Sequence, residues 1–147
     1  MAVRNVKIGL VGFGTVGTGV ARILLQDGDL IAAKMGVRLE LARVVDVDTQ
    51  SEREIALPDG VLSDNLDALL SDESLEIVVE AVGGTTVARE IQLRILRAGK
   101  HVVTANKALL AEHGNELFSV ARENNRCIAF EASCAGGIPI VSSIRTG

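Results

Sequence analysis

The sequence predicts an α/β fold: a doubly wound parallel sheet with helices on both faces, in one domain over residues 1–147. Three observations lead there. Short apolar runs alternate with segments of helical period along the chain. The connections between successive runs are long enough to hold a helix, which implies right-handed crossovers between parallel strands. The first apolar run also ends in a glycine-rich turn that passes directly into a helical pattern.

The elements follow in order. Residues 6–11 are a compact β-type run, after which Val16, Val20, Ile23 and Leu24 fall on one helical face. Residues 26–30 break that helix, and a mixed stretch continues to Gly36. The second strand, 38–46, begins with alternation, becomes solidly apolar and ends in an acid. Residues 47–75 are the least regular part, with a charged loop at 51–54, a Pro58-Asp59-Gly60 turn and a short helix at 65–70. Residues 77–82 read as a buried parallel strand before Gly83-Gly84. Thr85 or Thr86 can cap the next helix, which carries Ile91, Ile95 and Leu96 inward and stops at Gly99. A fourth strand occupies 101–104, and Asn106 caps a helix running to about Asn124 with a break expected at Gly114. A fifth strand at 127–131 opens into the loop 132–138. Residues 132–147 then read as the beginning of a connection to further chain.

Composition narrows the classes of partner. A net charge of −4 leaves no basic footprint for nucleic acid and disfavours an anionic membrane surface. No apolar run approaches the roughly 18 residues of a membrane span. The start of the chain lacks the long apolar stretch of a secretory signal, so the cytoplasm is the expected compartment. Three Phe with no Trp or Tyr argue against stacking platforms for bases or sugars. Cys127, in an apolar run, reads as a core residue, and Cys134 as a small filler in a Gly-rich loop. His101 and His113 are too isolated for a metal site.

The chemistry starts at Gly12-Phe13-Gly14-Thr15-Val16-Gly17, a G-x-G-x-x-G pattern between a strand and a helix. Gly12 permits the tight turn, Gly14 lets backbone approach a pyrophosphate, and Gly17 allows close helix–strand packing. The helix start then meets the phosphate charge with its amides and its dipole. Asp46, at the end of the second strand, is placed to accept hydrogen bonds from the adenosine ribose and to repel a 2′-phosphate. Gly83-Gly84 ends the strand expected beside the first, where it can lie against the nicotinamide ribose. Lys107 follows the Asn106 cap, at a helix amino-terminus where a cation is disfavoured by roughly 0.3–1 kcal/mol. Facing the same crevice, its ammonium could hydrogen-bond a carbonyl or hydroxyl near the nicotinamide.

Three segments together resemble homoserine dehydrogenase: residues 9–17 (GLVGFGTVG), 99–108 (GKHVVTANKA) and 130–139 (FEASCAGGIP). The resemblance covers essentially the whole chain and implies a Rossmann-type NAD(P)-binding domain. It implies the interconversion of L-aspartate 4-semialdehyde and L-homoserine, on the route to threonine and methionine, by a longer, homodimeric protein. On that resemblance Phe13, Gly14, Thr15 and Val16 hold the pyrophosphate. Val82, Gly83, Thr104 and Lys107 line the nicotinamide side, with Lys107 near the reacting centre. The third segment resembles the family's sodium site and implies Glu131, Cys134, Gly136 and Ile138 as ligands, largely through backbone carbonyls.

Two departures stand out. Many members carry Arg where this chain has Val47, so the partner for a 2′-phosphate is missing and NAD is favoured over NADP; Lys34, Arg43 or Arg53 could reach round. Cys134 stands where Val is usual. The acidic substrate ligands and second lysine of the family have no counterpart in these residues, so the chain is expected to bind cofactor without turning over. A stand-alone NAD(P)-binding or redox-sensing module is the alternative. Neither Lys107 nor the Glu131 loop would be needed there.

Overall fold

The computed structural model describes residues 4–146. Six strands form one sheet: β1 (Arg4–Val11), β2 (Val37–Val45), β3 (Leu62–Ser63), β4 (Leu75–Glu80), β5 (His101–Thr104) and β6 (Ile128–Ala129). Their order is β3-β2-β1-β4-β5-β6 and every pairing is parallel. The order reverses between β1 and β4, which opens a crevice at the carboxyl ends of those strands. The helices are α1 (Thr15–Gln26), α2 (Gly28–Met35), α3 (Leu66–Leu70), α4 (Thr86–Arg97), α5 (Lys107–Glu123) and α6 (Ile140–Thr146).

Alternation along β1 and β2 divides the core between the two faces of the sheet. Leu10 and Val44 pack with Phe13 and Ala21 against α1. Val11 and Val45 join Val78, Leu93, Leu96, Leu109 and Leu117 beneath α4 and α5. Both faces are covered, as the doubly wound reading requires. At the end of the sheet away from the crevice, Lys100 is 2% exposed and donates from Nζ to the carbonyls of Asp72 (2.6 Å) and Leu75 (3.3 Å). Burial lowers its pKa, against the opposing pull of Asp72 and Glu73.

Several expectations need correction. Helix α5 runs unbroken through Gly114, which is buried; packing of its apolar face outweighs a glycine cost of roughly 1 kcal/mol. Cys127 is exposed rather than in the core, because Ile128 takes the inward position on the edge strand β6. Its Sγ lies 3.2 Å from His101 Nδ1, so a cysteine read as core and a histidine read as isolated meet across β5 and β6. The fifth predicted strand shrinks to Ile128–Ala129, with Glu131–Ser133 in a 3₁₀ turn. Strand β4 ends at Glu80, two residues early, and β3 was not anticipated. Thr85 occupies the N-cap of α4 without a side-chain bond to it, whereas Asn106 caps α5 through Leu109 N–H at 3.1 Å.

Candidate functional site

The glycine loop is defined by what cannot fit in it. A Cβ on Gly17 would sit 1.9 Å from the Gly12 carbonyl oxygen, and one on Gly12 would sit 2.6 Å from the backbone of Ala81. Gly12 also has φ +93°, a region that favours glycine. Gly14 differs: nothing lies within 4 Å of its missing Cβ, so its face is open. It is the N-cap of α1, where no side chain accepts from the helix amides and no acid occupies the first turn. Thr15 and Val16 are exposed beside it. An uncapped, open helix amino-terminus is suited to an anion.

Phe13 takes a different part from its neighbours. Its ring is 1% exposed and belongs to the core, and its amide donates to Asp46 Oδ2 at 2.5 Å. The other oxygen of Asp46 accepts Asp48 N–H at 2.8 Å. Asp46 thus ties the end of β2 to the glycine loop, while each oxygen keeps lone-pair capacity for a further donor. Val47 is 98% exposed beyond it. Of the cations named as substitutes, Arg43 is bound to Asp72 (Nε to Oδ2, 2.7 Å) and Lys34 sits in the last turn of α2. Arg53 alone of the three lines the cleft beside Phe13, Gly14 and Thr15. Its guanidinium lies 5.8 Å over the Phe13 ring and donates to Asp48. The Asp48 carboxyl is held well below the usual range, chiefly by hydrogen bonding to Ser51.

Two clefts flank the loop. One of about 380 Å³, mostly apolar, is lined by Gly12, Gly14, Asp46, Val47, Val82 and Val87. The other, about 300 Å³, is lined by Val16, Glu80, Gly83, Asn106 and Lys107. A larger cleft of about 650 Å³ runs along β2 before its pairing with β3 and touches no residue of the loop. The loop, not cavity size, places the site.

Strands β4 and β5 build the second wall. Gly83 and Gly84 both have positive φ, 79° and 69°, with open space where a Cβ would project. Val82 is 39% exposed. Lys107 is exposed at the start of α5 and makes no ion pair among the described residues. Thr104 is 1% exposed, and its hydroxyl is taken up by Glu80 (2.8 Å) and by Asn106 N–H (3.0 Å). Sequence reasoning missed Glu80, itself 1% exposed. The signal available was a carboxylate inside the apolar run 77–82, just before two glycines.

The third segment folds as a separate turn. Both carboxylate oxygens of Glu131 accept amides of α6, from Val141 and Ser142, each at 2.9 Å. The carbonyls of Glu131 and Ile138 each accept one amide. Those of Cys134 and Gly136 accept none among the described residues.

Residues 12–131 match the family model described as homoserine dehydrogenase, NAD binding domain. The chain belongs to this family. It is 40% identical over 144 residues to the homoserine dehydrogenase of Neisseria gonorrhoeae, covering 98% of this chain and 33% of that protein. Identity reaches 44% over 140 residues with the Corynebacterium glutamicum enzyme, covering 95% and 31%. A crystal structure of a homoserine dehydrogenase from Thiobacillus denitrificans superimposes with a TM-score of 0.84 at 35% identity, over 98% of this chain and 33% of that one. The chain therefore spans about a third of the length of these relatives. Among the described residues, no helix is long and apolar enough to cross a membrane.

Proposed function

We propose that this chain is the cofactor-holding part of a cytoplasmic, homodimeric homoserine dehydrogenase, and that it takes NAD in preference to NADP. The observation that carries this reading is the open amino-terminus of α1 behind two glycines that admit no Cβ, with a cleft on either side. Gly14, Thr15 and Val16 offer backbone and surface to the pyrophosphate. Gly12, Phe13 and Gly17 shape the turn, with the Phe13 amide engaged by Asp46. Asp46 and Val47 would hold the adenosine end in the apolar cleft, with Asp46 placed to accept from its ribose hydroxyls. Val82, Gly83 and the Thr104–Lys107 turn would hold the nicotinamide end.

The bound dinucleotide supplies the hydride carrier. Lys107 supplies an exposed ammonium at the nicotinamide side, able to hydrogen-bond the substrate oxygen whose charge changes in the reaction. The substrate itself would be held by chain beyond these residues, so this chain alone binds cofactor without turnover. A hard monovalent cation fits the 131–138 loop to the extent that the Cys134 and Gly136 carbonyls are free to ligate it. The Glu131 carboxylate caps α6, so its contribution would come from the backbone.

Preference for NAD follows from Asp46 and from an exposed, uncharged Val47. Calorimetric titration should give NAD an advantage over NADP of at least about fivefold, roughly 1 kcal/mol. Val47→Arg should narrow it. Tighter binding of NADP by the wild-type chain would overturn the preference and point to Arg53 as a phosphate partner.

A further inference from the structure

The nicotinamide wall consists of two turns on neighbouring strands, one carrying Gly83 and the other Lys107. Glu80, the last residue of β4, joins them. Its Oε1 accepts the amides of Val82 (2.8 Å) and Gly83 (3.3 Å). Its Oε2 accepts Thr104 Oγ1 and Gln92 Nε2, both at 2.8 Å. Four donors converge on one carboxylate, matching its lone pairs. Thr104 Oγ1 in turn accepts from the amide of Asn106, and Asn106 Nδ2 reaches back to the carbonyl of Gly84 at 2.7 Å. The result is a closed ring of hydrogen bonds: β4 turn to Asn106, Asn106 to Thr104, Thr104 to Glu80, and Glu80 back to the turn.

An apolar residue in this place would fill the core without the desolvation cost of a carboxylate. Packing therefore does not account for Glu80, and Gln92 Oε1 is left buried without a partner in the same cluster. Both turns line the same cleft. We propose that Glu80 is a positioning residue that sets the spacing between the Gly83 turn and the Asn106–Lys107 turn. It governs how the site takes the nicotinamide half of the cofactor and leaves the adenosine half, on the far side of Gly14, largely untouched. This rests on the cofactor reading above.

The test compares NAD with ADP-ribose, which lacks the nicotinamide, by calorimetry on the wild-type chain and three variants. Glu80→Gln keeps an acceptor for the β4 turn but places a donor against Thr104 and Gln92. Thr104→Val keeps the carboxylate and removes the hydroxyl, so it carries the test if Glu80→Gln does not fold. Thr104→Ser restores the hydroxyl. Loss of one such bond should weaken NAD about threefold to tenfold in Glu80→Gln and Thr104→Val. ADP-ribose affinity should change by less than about twofold, and Thr104→Ser should recover most of the NAD affinity that Thr104→Val loses. Equal loss of both ligands, unchanged NAD affinity, or a wild-type chain binding both ligands equally would overturn the inference. A wild-type chain that binds neither ligand would sink the cofactor reading itself, and this inference with it.

Discussion

At the end of β1 the chain brings backbone against backbone by omitting side chains, whereas at the ends of β4 and β5 it holds two turns together with a side chain buried on purpose. Gly12 and Gly17 leave no room for a single carbon. Glu80 instead fills its space with a charged group and satisfies it with four donors. The first wall is a matter of volume, and it tolerates almost no change. The second is a matter of hydrogen-bond stoichiometry, and its failures should be graded, depending on which donors lose a partner.

Gly17→Ala is the most direct way to break the first wall. The added carbon meets a backbone oxygen at 1.9 Å, and neither β1 nor α1 can yield without disturbing the core at Leu10 and Ala21. Overpacking typically costs 1–3 kcal/mol, and a rigid backbone partner places this case at about 3 kcal/mol or more. Chemical denaturation would measure it. A loss below about 1 kcal/mol would mean that the turn relaxes and that volume does not define this wall.

Glu80→Ala should cost less, about 2 kcal/mol. Two amides, a hydroxyl and the Gln92 amide lose their acceptor, but the cavity opens toward the cleft, where water can replace the carboxylate. The same denaturation series checks it. A loss equal to that of Gly17→Ala would erase the distinction between the two walls.

This difference also explains what was legible in the sequence. The glycine wall could be seen because glycine spacing records steric exclusion directly: Gly12 and Gly17 stand where the turn admits no Cβ, and the acid Asp46 follows directly on β2. The second wall could be seen only in part, through Val82, Gly83, Thr104, Asn106 and Lys107. Its organising group was hidden because Glu80 lies inside a strand, and its donors come from residues 2, 3, 12 and 24 positions away. The pairing of Cys127 with His101, 26 residues apart across two strands, was hidden for the same reason. The two-residue strand β3 was obscured because so short a segment shows no periodicity. Gly114 misled in the opposite direction, since its local propensity is overridden by the burial of the helix around it.

Another carboxylate, remote from both walls, sharpens what is particular to Glu80. Asp72 accepts from Ser74 Oγ at 2.6 Å and from Arg43 Nε at 2.7 Å, and its carbonyl holds the buried Lys100. The Ser74 hydroxyl first, and then the Arg43 guanidinium, lower its pKa from 3.8 to about 2. Because the folded-state value is depressed, the stabilisation is fully present above the unfolded value near 3.8. It is lost as the pH falls through about 2. Asp72→Asn should therefore cost about 0.5–1 kcal/mol at pH 7, the range of a partly exposed pair. The gap from wild type should stay constant down to about pH 5 and close between pH 4 and 2. Denaturant midpoints across that range would follow it. Cofactor affinity should be unchanged in this variant, since Asp72 lies beyond the opposite end of the sheet. A gap that persists undiminished at pH 2, or a loss of NAD binding, would show that Asp72 acts through the fold as a whole rather than through its own charge.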